Sequence, residues 1–117
     1  MTELRIAIVS LFPELFESFQ EASFVGRARA QGKLVLHIEP LRRHGLGKHL
    51  SVDDAPYGGG SGMLMRVDCV VGAIESAEAA LGAPAPPQRI LLTPQGQPLD
   101  QPLVQELSRA ESLILIA

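Results

Sequence analysis

A glycine-rich segment contains the densest group of residues that could bind a ligand or take part in a reaction. Residues 51–65 read Ser-Val-Asp-Asp-Ala-Pro-Tyr-Gly-Gly-Gly-Ser-Gly-Met-Leu-Met. Glycines let a backbone approach a ligand closely or adopt positive φ, at an entropic cost when they are ordered. The segment is not a phosphate-binding P-loop, because no Lys-Ser/Thr pair follows its last glycine, and it lacks the glycine spacing of a dinucleotide-binding turn. The residues alone leave two interpretations open, a ligand-binding loop and an ordinary surface loop.

A second segment, Leu92-Thr93-Pro94-Gln95-Gly96, directly follows a run predicted to form a strand. In α/β proteins ligands bind beyond the carboxyl ends of the strands, so this position suits a binding loop. Pro and Gly also end many strands that bind nothing, and on its own the segment is more typical of a plain turn. Ser10-Leu11-Phe12-Pro13-Glu14, after the first predicted strand, reads by itself as the start of a helix.

The basic residues are concentrated in the window 27–49, although the whole chain has a net charge of -3. The window contains six Lys or Arg residues and one acid, Glu39, so it carries +5 while the remainder carries -8. All three histidines also lie in it. Such a window can bind phosphates on an acidic protein, and it is also typical of a solvated surface.

The cysteine and the histidines do not indicate a further site. Cys69 lies near the start of a predicted helix with no histidine close to it in sequence, so we predict that it is an inert packing residue. His44 and His49 lie in a predicted loop without a cysteine partner, so we predict no metal site. A single cysteine also excludes an internal disulfide framework.

These segments are positioned by strands and helices that alternate along the chain. Apolar or alternating runs predict strands at 4–9, 33–39, 89–92 and 113–117. Helical spacing predicts helices at 13–22, 24–30 and 67–81, and a further helix that Asp100 caps. The buried stripe expected in helix 67–81 is Val67, Val70, Val71, Ile74, Ala77 and Leu81. This alternation predicts an α/β fold, a parallel sheet with helices on both faces.

The composition is that of an ordinary globular domain. A chain of 117 residues fits one small domain, and 46% of its residues are hydrophobic and 20% charged. No apolar run approaches the roughly 20 residues that span a bilayer, and the amino terminus lacks the features of a signal peptide. We therefore expect a soluble, cytoplasmic protein without membrane attachment. Because the last predicted strand ends at Ala117 without a following loop, we also expect the front part of a longer protein.

Taken together, these segments resemble the bacterial tRNA (guanine-N1)-methyltransferases, the family that modifies the guanosine at tRNA position 37. The resemblance runs along the whole chain, and the Pro-Tyr-Gly-Gly-Gly segment followed by the Pro-Gln-Gly turn is highly specific. The segments that carry it are Ile8-Val9-Ser10-Leu11-Phe12-Pro13-Glu14, Val25-Gly26-Arg27-Ala28, Lys48-His49, Val52-Asp53-Asp54, Pro56-Tyr57-Gly58-Gly59-Gly60, Gly62-Met63-Leu64-Met65, Thr93-Pro94-Gln95-Gly96, Leu99-Asp100 and Leu113-Ile114-Leu115-Ile116.

The resemblance implies a SPOUT-class domain, an α/β fold with a trefoil knot, which works as a homodimer with its active site at the interface. It implies S-adenosylmethionine as the methyl donor and tRNA with guanosine at position 37 as the substrate. Residues 1–117 would be the amino-terminal part of the cofactor-binding methyltransferase domain, without the knot region and the carboxy-terminal tRNA-binding domain. The family's catalytic base lies beyond Ala117, so no catalytic residue is assigned and this chain alone is expected to be inactive.

Carried over residue by residue, the resemblance assigns two groups of binding residues. The cofactor-binding group is Leu91, Leu92, Thr93, Pro94, Gly96, Pro56 and Gly62. The group that faces the guanine or the tRNA is Asp53, Tyr57, Gly58, Gly59, Arg27, Lys48 and His49. Leu50 departs from the expected pattern, which has a basic side chain there. Two other function classes stay open, a non-catalytic RNA-binding or dimerisation module and an unrelated nucleotide-binding α/β domain.

Overall fold

Four parallel strands form the sheet on which the rest of the chain is arranged. The structure, a computed structural model, describes residues 3–45, 53–54, 64–65 and 67–117. The strands of this sheet are β1 (Leu4–Ser10), β2 (Leu34–Pro40), β5 (Gln88–Leu91) and β6 (Ser112–Ile116). Their order is β2-β1-β6-β5, and every neighbouring pair is parallel. The predicted parallel sheet is therefore confirmed, with all four strands within a residue or two of the expected positions.

The remaining elements are short, apart from one long helix. A 3-10 turn at Pro13–Phe16 leads into α1 (Glu17–Glu21) and α2 (Ser23–Ala30), and a second 3-10 turn, Leu41–His44, follows β2. The described backbone also has a small hairpin of β3 (Asp53–Asp54) and β4 (Leu64–Met65). The last two helices are α3 (Val67–Leu81) and α4 (Gln101–Leu107).

The main core lies between one face of the sheet and α3. Ala7 and Val9 from β1 and Ile114 from β6 are almost completely buried and pack with Ala73 and Leu81 of the helix. Because side chains alternate along a strand, Leu113 and Leu115 point to the opposite face, where they line a groove together with α4. Helices therefore cover both faces, as the alternating pattern predicts.

The stripe predicted for α3 is wrong in part. It includes Val67 and Val71, whose exposed fractions are 76% and 46%. The buried row instead runs at every fourth position, through Cys69, Ala73, Ala77 and Leu81. Three of these residues are small, which lets the helix axis approach the sheet closely, whereas larger valines at this contact would hold it away. Cys69 is buried in this row, as the prediction of a packing role requires.

The single helix predicted at 13–22 is divided into two segments. The first turn is a 3-10 turn, α1 ends at Glu21, and Ala22 is extended (φ -84°, ψ 137°) before α2 begins. Gly32 follows α2 with φ +73°, a conformation that glycine adopts without strain, and this confirms the predicted helix end. The described part of the chain contains no helix that is both long and apolar enough to cross a bilayer.

Candidate functional site

The carboxyl ends of the strands meet at one edge of the sheet, and hydrogen bonds fix the turn that leaves β5 there. The Leu92 amide donates to the Ile116 carbonyl at 3.0 Å, so the turn starts beside the end of β6. The Gly96 amide donates to the Thr93 carbonyl at 3.2 Å, and the Gln95 amide donates to the Thr93 hydroxyl at 3.3 Å. The segment predicted to form a cofactor wall is thus a closed turn at the ligand-binding edge of an α/β sheet.

Next to this turn is a groove of about 1100 Å³. All five of the cofactor-binding residues predicted in this region line it: Leu91, Leu92, Thr93, Pro94 and Gly96. The floor is the face of β5 and β6, and Leu103 and Leu107 of α4 form the opposite wall. The groove is mostly apolar, with backbone groups of the turn at its rim, a combination that suits a flat heteroaromatic ring attached to a polar chain.

The position of α4, and therefore of one wall of the groove, depends on a helix cap. The Asp100 carboxylate accepts a hydrogen bond from the Leu103 amide at 3.0 Å, which confirms the predicted cap. Leu99, immediately before it, is 70% exposed and lines the groove. The turn and α4 thus place apolar side chains along the rim where the sequence predicts the cofactor.

The two acids that precede the glycine segment lie in the hairpin. Asp53 pairs with Met65 and Asp54 pairs with Leu64 in antiparallel register. The backbone of Asp53, a predicted guanine-facing residue, is therefore paired with Met65, two residues before α3 begins. The other predicted site residues of this region lie outside the described residues: Lys48, His49, Pro56, Tyr57, Gly58, Gly59 and Gly62.

A buried carboxylate, Glu39, was not predicted as a functional residue. Its exposed fraction is 0%, and its oxygens accept hydrogen bonds from Nε2 of His37 at 2.8 Å and of His44 at 2.9 Å. The Ser76 hydroxyl of α3 donates to it at 3.2 Å, and the Arg43 guanidinium lies 3.6 Å away. Local sequence offered no signal for its burial, because strand alternation puts Glu39 on the face opposite Leu34, Leu36 and Ile38; its burial follows from its pairing with Val9 of β1 in the sheet register.

Burial by itself would raise the pKa of the Glu39 carboxyl. The hydrogen bonds from His37, His44 and Ser76, together with the charge of His37, outweigh this effect and hold the pKa below its ordinary value of 4.5. Glu39 is therefore ionised at neutral pH. No group of three or more potential ligands that could hold a metal ion occurs within 3–45 or 67–117.

The orientation of Glu39 also changes the electrostatics of the basic window. This acid, the only one among residues 27–49, faces the core, while the arginines of the window face solvent. The exposed residues are Arg27, Arg29, Arg42 and Arg43. Arg27, a predicted tRNA contact, lies with its guanidinium carbon 5.5 Å from the centre of the Phe24 ring, and Phe24 is 77% exposed. The surface of the window is therefore more positive than its summed charge suggests.

The model of the tRNA (guanine-1)-methyltransferase family matches residues 4–117, nearly the whole chain. The chain belongs to this family. Its members are SPOUT-class methyltransferases, so the family resemblance found in the sequence is confirmed.

Curated relatives and a solved structure agree with this membership. A tRNA (guanine-N(1)-)-methyltransferase of Sorangium cellulosum is 45% identical over 97% of this chain and 50% of the relative. One of Pseudomonas fluorescens is 44% identical over 100% of this chain and 46% of the relative. The crystal structure of tRNA (m1G37) methyltransferase from Aquifex aeolicus matches with a TM-score of 0.84 and 30% identity, over 97% of this chain and 50% of that one. The chain spans about half the length of the relatives it matches.

Proposed function

We propose that the complete protein containing this chain transfers a methyl group from S-adenosylmethionine to N1 of guanosine at tRNA position 37. The observation that carries this proposal is the match of the methyltransferase family to residues 4–117. The solved relative from Aquifex aeolicus is described as a tRNA (m1G37) methyltransferase, which supports the position. The chain would be the amino-terminal part of the methyltransferase domain of a cytoplasmic homodimer whose tRNA-binding domain lies elsewhere in the protein.

The groove beside the turn is the proposed cofactor site. When bound, S-adenosylmethionine supplies an electrophilic methyl group on a sulfonium centre. Leu91, Leu92 and Pro94 would provide apolar contacts, and the closed turn from Thr93 to Gly96 would lie near the polar parts of the cofactor. The surroundings favour this fit, since the groove is apolar, open at the ligand-binding edge and bounded by a turn with fixed hydrogen bonds. Pro56 and Gly62 would complete the site from the glycine segment.

Guanine N1 carries a proton that a carboxylate base must remove while the methyl group lies in line. We assign no residue of this chain to that base. Asp53 would instead hold the guanine edge by accepting N–H hydrogen bonds, as carboxylates do with base donors. Tyr57, Gly58 and Gly59 would complete the guanine side. The main contribution of these residues would be positioning.

The arginine-rich surface is the proposed contact for the tRNA backbone. Arg27 would bind phosphate together with Lys48 and His49, and Arg42 and Arg43 are further exposed cations of the same window. Contacts of this kind orient a nucleic acid without reading its sequence. Burial of Glu39 supports this assignment, because it removes the only acid of the window from the surface.

The test is a methylation assay on the full-length protein with S-adenosylmethionine and two tRNA transcripts, one with guanosine at position 37 and one with adenosine there. We expect 1-methylguanosine by mass spectrometry in the first transcript only, and most strongly where another guanosine precedes position 37. Methylation of adenosine or of a ribose hydroxyl would contradict the proposal. Binding of tRNA without any methyl transfer would instead favour the non-catalytic module.

A further inference from the structure

Phe24 is the most exposed of the large apolar side chains in the described part of the chain. It lies in the first turn of α2, and its exposed fraction is 77%. The reaction proposed above gives this ring no role. Single exposed apolar residues are common on protein surfaces, so exposure alone assigns no function to it. The backbone that carries the ring and the charges around it point further.

The backbone at the start of α2 is strained and braced. Ser23, directly before the ring, has φ +47°, which is the only positive φ at a residue other than glycine among the described residues. L-residues avoid this region for steric reasons, and such a conformation persists only where the surrounding structure holds it. Here the Arg29 guanidinium of α2 donates to the Gln20 carbonyl of α1 at 3.0 Å. The corner between the two helices is therefore fixed, and it presents Phe24 to solvent.

Arg27 lies three residues after Phe24, so both side chains project from the same side of α2. The Arg27 guanidinium carbon is 5.5 Å from the centre of the ring, which is a cation–π contact. The ring nevertheless stays largely exposed, so the guanidinium covers only part of it. The pair thus offers one ligand both an aromatic face and a positive charge.

The charges around this pair favour an anionic ligand. Arg27, Arg29 and Lys33 are all exposed, and no acidic residue occurs from 22 to 38. The nearest acids in sequence, Glu17 and Glu21, belong to α1. An apolar protein partner would bury these cations at a cost. A single-stranded nucleic acid fits both features, because its bases stack on aromatic rings and its phosphates bind arginine.

We propose that Phe24 and Arg27 form a stacking platform for an unpaired nucleobase of the tRNA, with the ring under the base and the guanidinium at the adjoining phosphate. This inference rests on the proposed function, which supplies the identity of the RNA. Phe24 is not among the residues that the family resemblance assigns. Because α2 packs against β2, at the opposite edge of the sheet from the groove beside β5, the platform acts on tRNA and not on S-adenosylmethionine.

The test measures the affinity of the full-length protein for tRNA with guanosine at position 37, by fluorescence anisotropy. Phe24→Ala should weaken binding at least about fivefold, which corresponds to about 1 kcal/mol. Phe24→Leu, which keeps apolar bulk without an aromatic face, should lose as much, whereas Phe24→Tyr should stay within about twofold of the wild type. Leu15→Ala is the matched control, because Leu15 is also an exposed apolar residue (70%) but is not aromatic. The kcat at saturating tRNA and the KM for S-adenosylmethionine should change less than about twofold in all four variants.

Two further readouts separate the ring from the charge and report on stacking directly. Arg27→Ala should lower the slope of log affinity against log salt by about one, whereas Phe24→Ala should leave the slope unchanged. The tryptophan emission that Phe24→Trp adds to the wild-type spectrum should be quenched by tRNA. The emission that Leu15→Trp adds should not be quenched.

Wild-type affinity for tRNA in Phe24→Ala, or retained affinity in Phe24→Leu, would overturn the stacking role. Loss of the wild-type oligomeric state in Phe24→Ala, measured by sedimentation without tRNA, would assign the ring to a protein interface and would also overturn it. If melting shows that Phe24→Ala does not fold, Phe24→Leu and the quenching of Phe24→Trp decide the question. If the wild type binds tRNA without methylating it, the proposed function fails while these affinities still decide the stacking role. Methylation that does not depend on Phe24 refutes the stacking role alone.

Discussion

Two helical glycines should respond in opposite ways to the same added methyl group. Gly26 lies in α2 and Gly72 in α3, and neither has a positive φ. Replacing glycine by alanine inside a helix lowers the backbone entropy of the unfolded chain and stabilises a protein by about 0.5–1 kcal/mol when space permits. The surroundings of the new Cβ therefore determine the outcome at each position.

At Gly72 the added Cβ has room. Its nearest neighbours are atoms of the His44 side chain at 3.4–3.9 Å, which is ordinary van der Waals contact. Gly72→Ala should therefore stabilise the protein by about 0.5–1 kcal/mol. For a protein of about twice this length, that corresponds to a rise in Tm of about 1–4 °C.

At Gly26 the added Cβ would overlap the carbonyl oxygen of Glu21 and lie 2.7 Å from its carbonyl carbon. These are backbone atoms at the end of α1, so no flexible side chain can move aside. The Gly26 amide also donates to the Ala22 carbonyl at 3.0 Å, which fixes the close approach. Overpacking of this kind typically costs about 1–3 kcal/mol, so Gly26→Ala should destabilise the protein despite its higher helix propensity.

The assay is urea unfolding followed by circular dichroism on the wild type and the two variants of the full-length protein, with thermal melts in parallel. The expected result is a higher midpoint for Gly72→Ala and a lower midpoint for Gly26→Ala, with unchanged slopes. Shifts in the same direction would refute the reasoning from local space. Retention of stability in Gly26→Ala would also show that the glycine of the Val25-Gly26-Arg27-Ala28 motif is not required for packing.

Three further perturbations test the site and the buried cluster. Asp53→Asn should lower kcat by about 10–100-fold, because it weakens a hydrogen bond to a charged group. The affinity for S-adenosylmethionine, measured by calorimetry, should change little. Wild-type turnover would instead make Asp53 a structural residue. Asp100→Ala should cost about 1 kcal/mol in urea unfolding through loss of the cap on the Leu103 amide, and Asp100→Asn should restore most of it. Because the pKa of Glu39 is lowered from 4.5, its stabilising effect is fully present above that value and is lost as the pH falls through the folded-state pKa. Glu39→Gln should therefore show a smaller loss of stability on acidification below pH 4.5 than the wild type, and equal pH profiles would contradict this role.

The sheet could be predicted because its strands have strong local signals. The last residues of the chain are uniformly apolar, and apolar residues alternate regularly after Lys33. Both patterns are typical of strands and of few other structures. The cap at Asp100 could also be predicted, since one side chain and a nearby amide suffice to form it. The order β2-β1-β6-β5 has no such local signal, because strand order depends on contacts between distant segments.

The error in α3 has a different origin. Choosing the most apolar residues gives a stripe through Val67 and Val71, but the helix presents a row that contains small residues to the sheet. Helical periodicity alone allows either choice, since Cys69 and Ala73 have the same spacing as the valines. The distance between the helix and the sheet decides which row of α3 is buried. This distance depends on the tertiary packing and cannot be read from the local sequence. The break in the helix at Ala22 could not be predicted from local periodicity either, because it accompanies a close approach of the Gly26 backbone to the Glu21 backbone.

Glu39 shows how the charge of a sequence window differs from the charge of a surface. Counted along the chain, Glu39 reduces the positive charge of residues 27–49 by one. In the fold its carboxylate points towards α3 and is bonded by His37 and His44, so the negative charge is separated from solvent by its own partners. Arg43 lies 3.6 Å from this carboxylate, whereas Arg27, Arg29 and Arg42 can meet an incoming phosphate without a competing acid from the same window. One carboxylate thus ties the turn before the glycine segment to the core and leaves the outer surface basic, and both consequences favour binding of a polyanion at this side of the sheet.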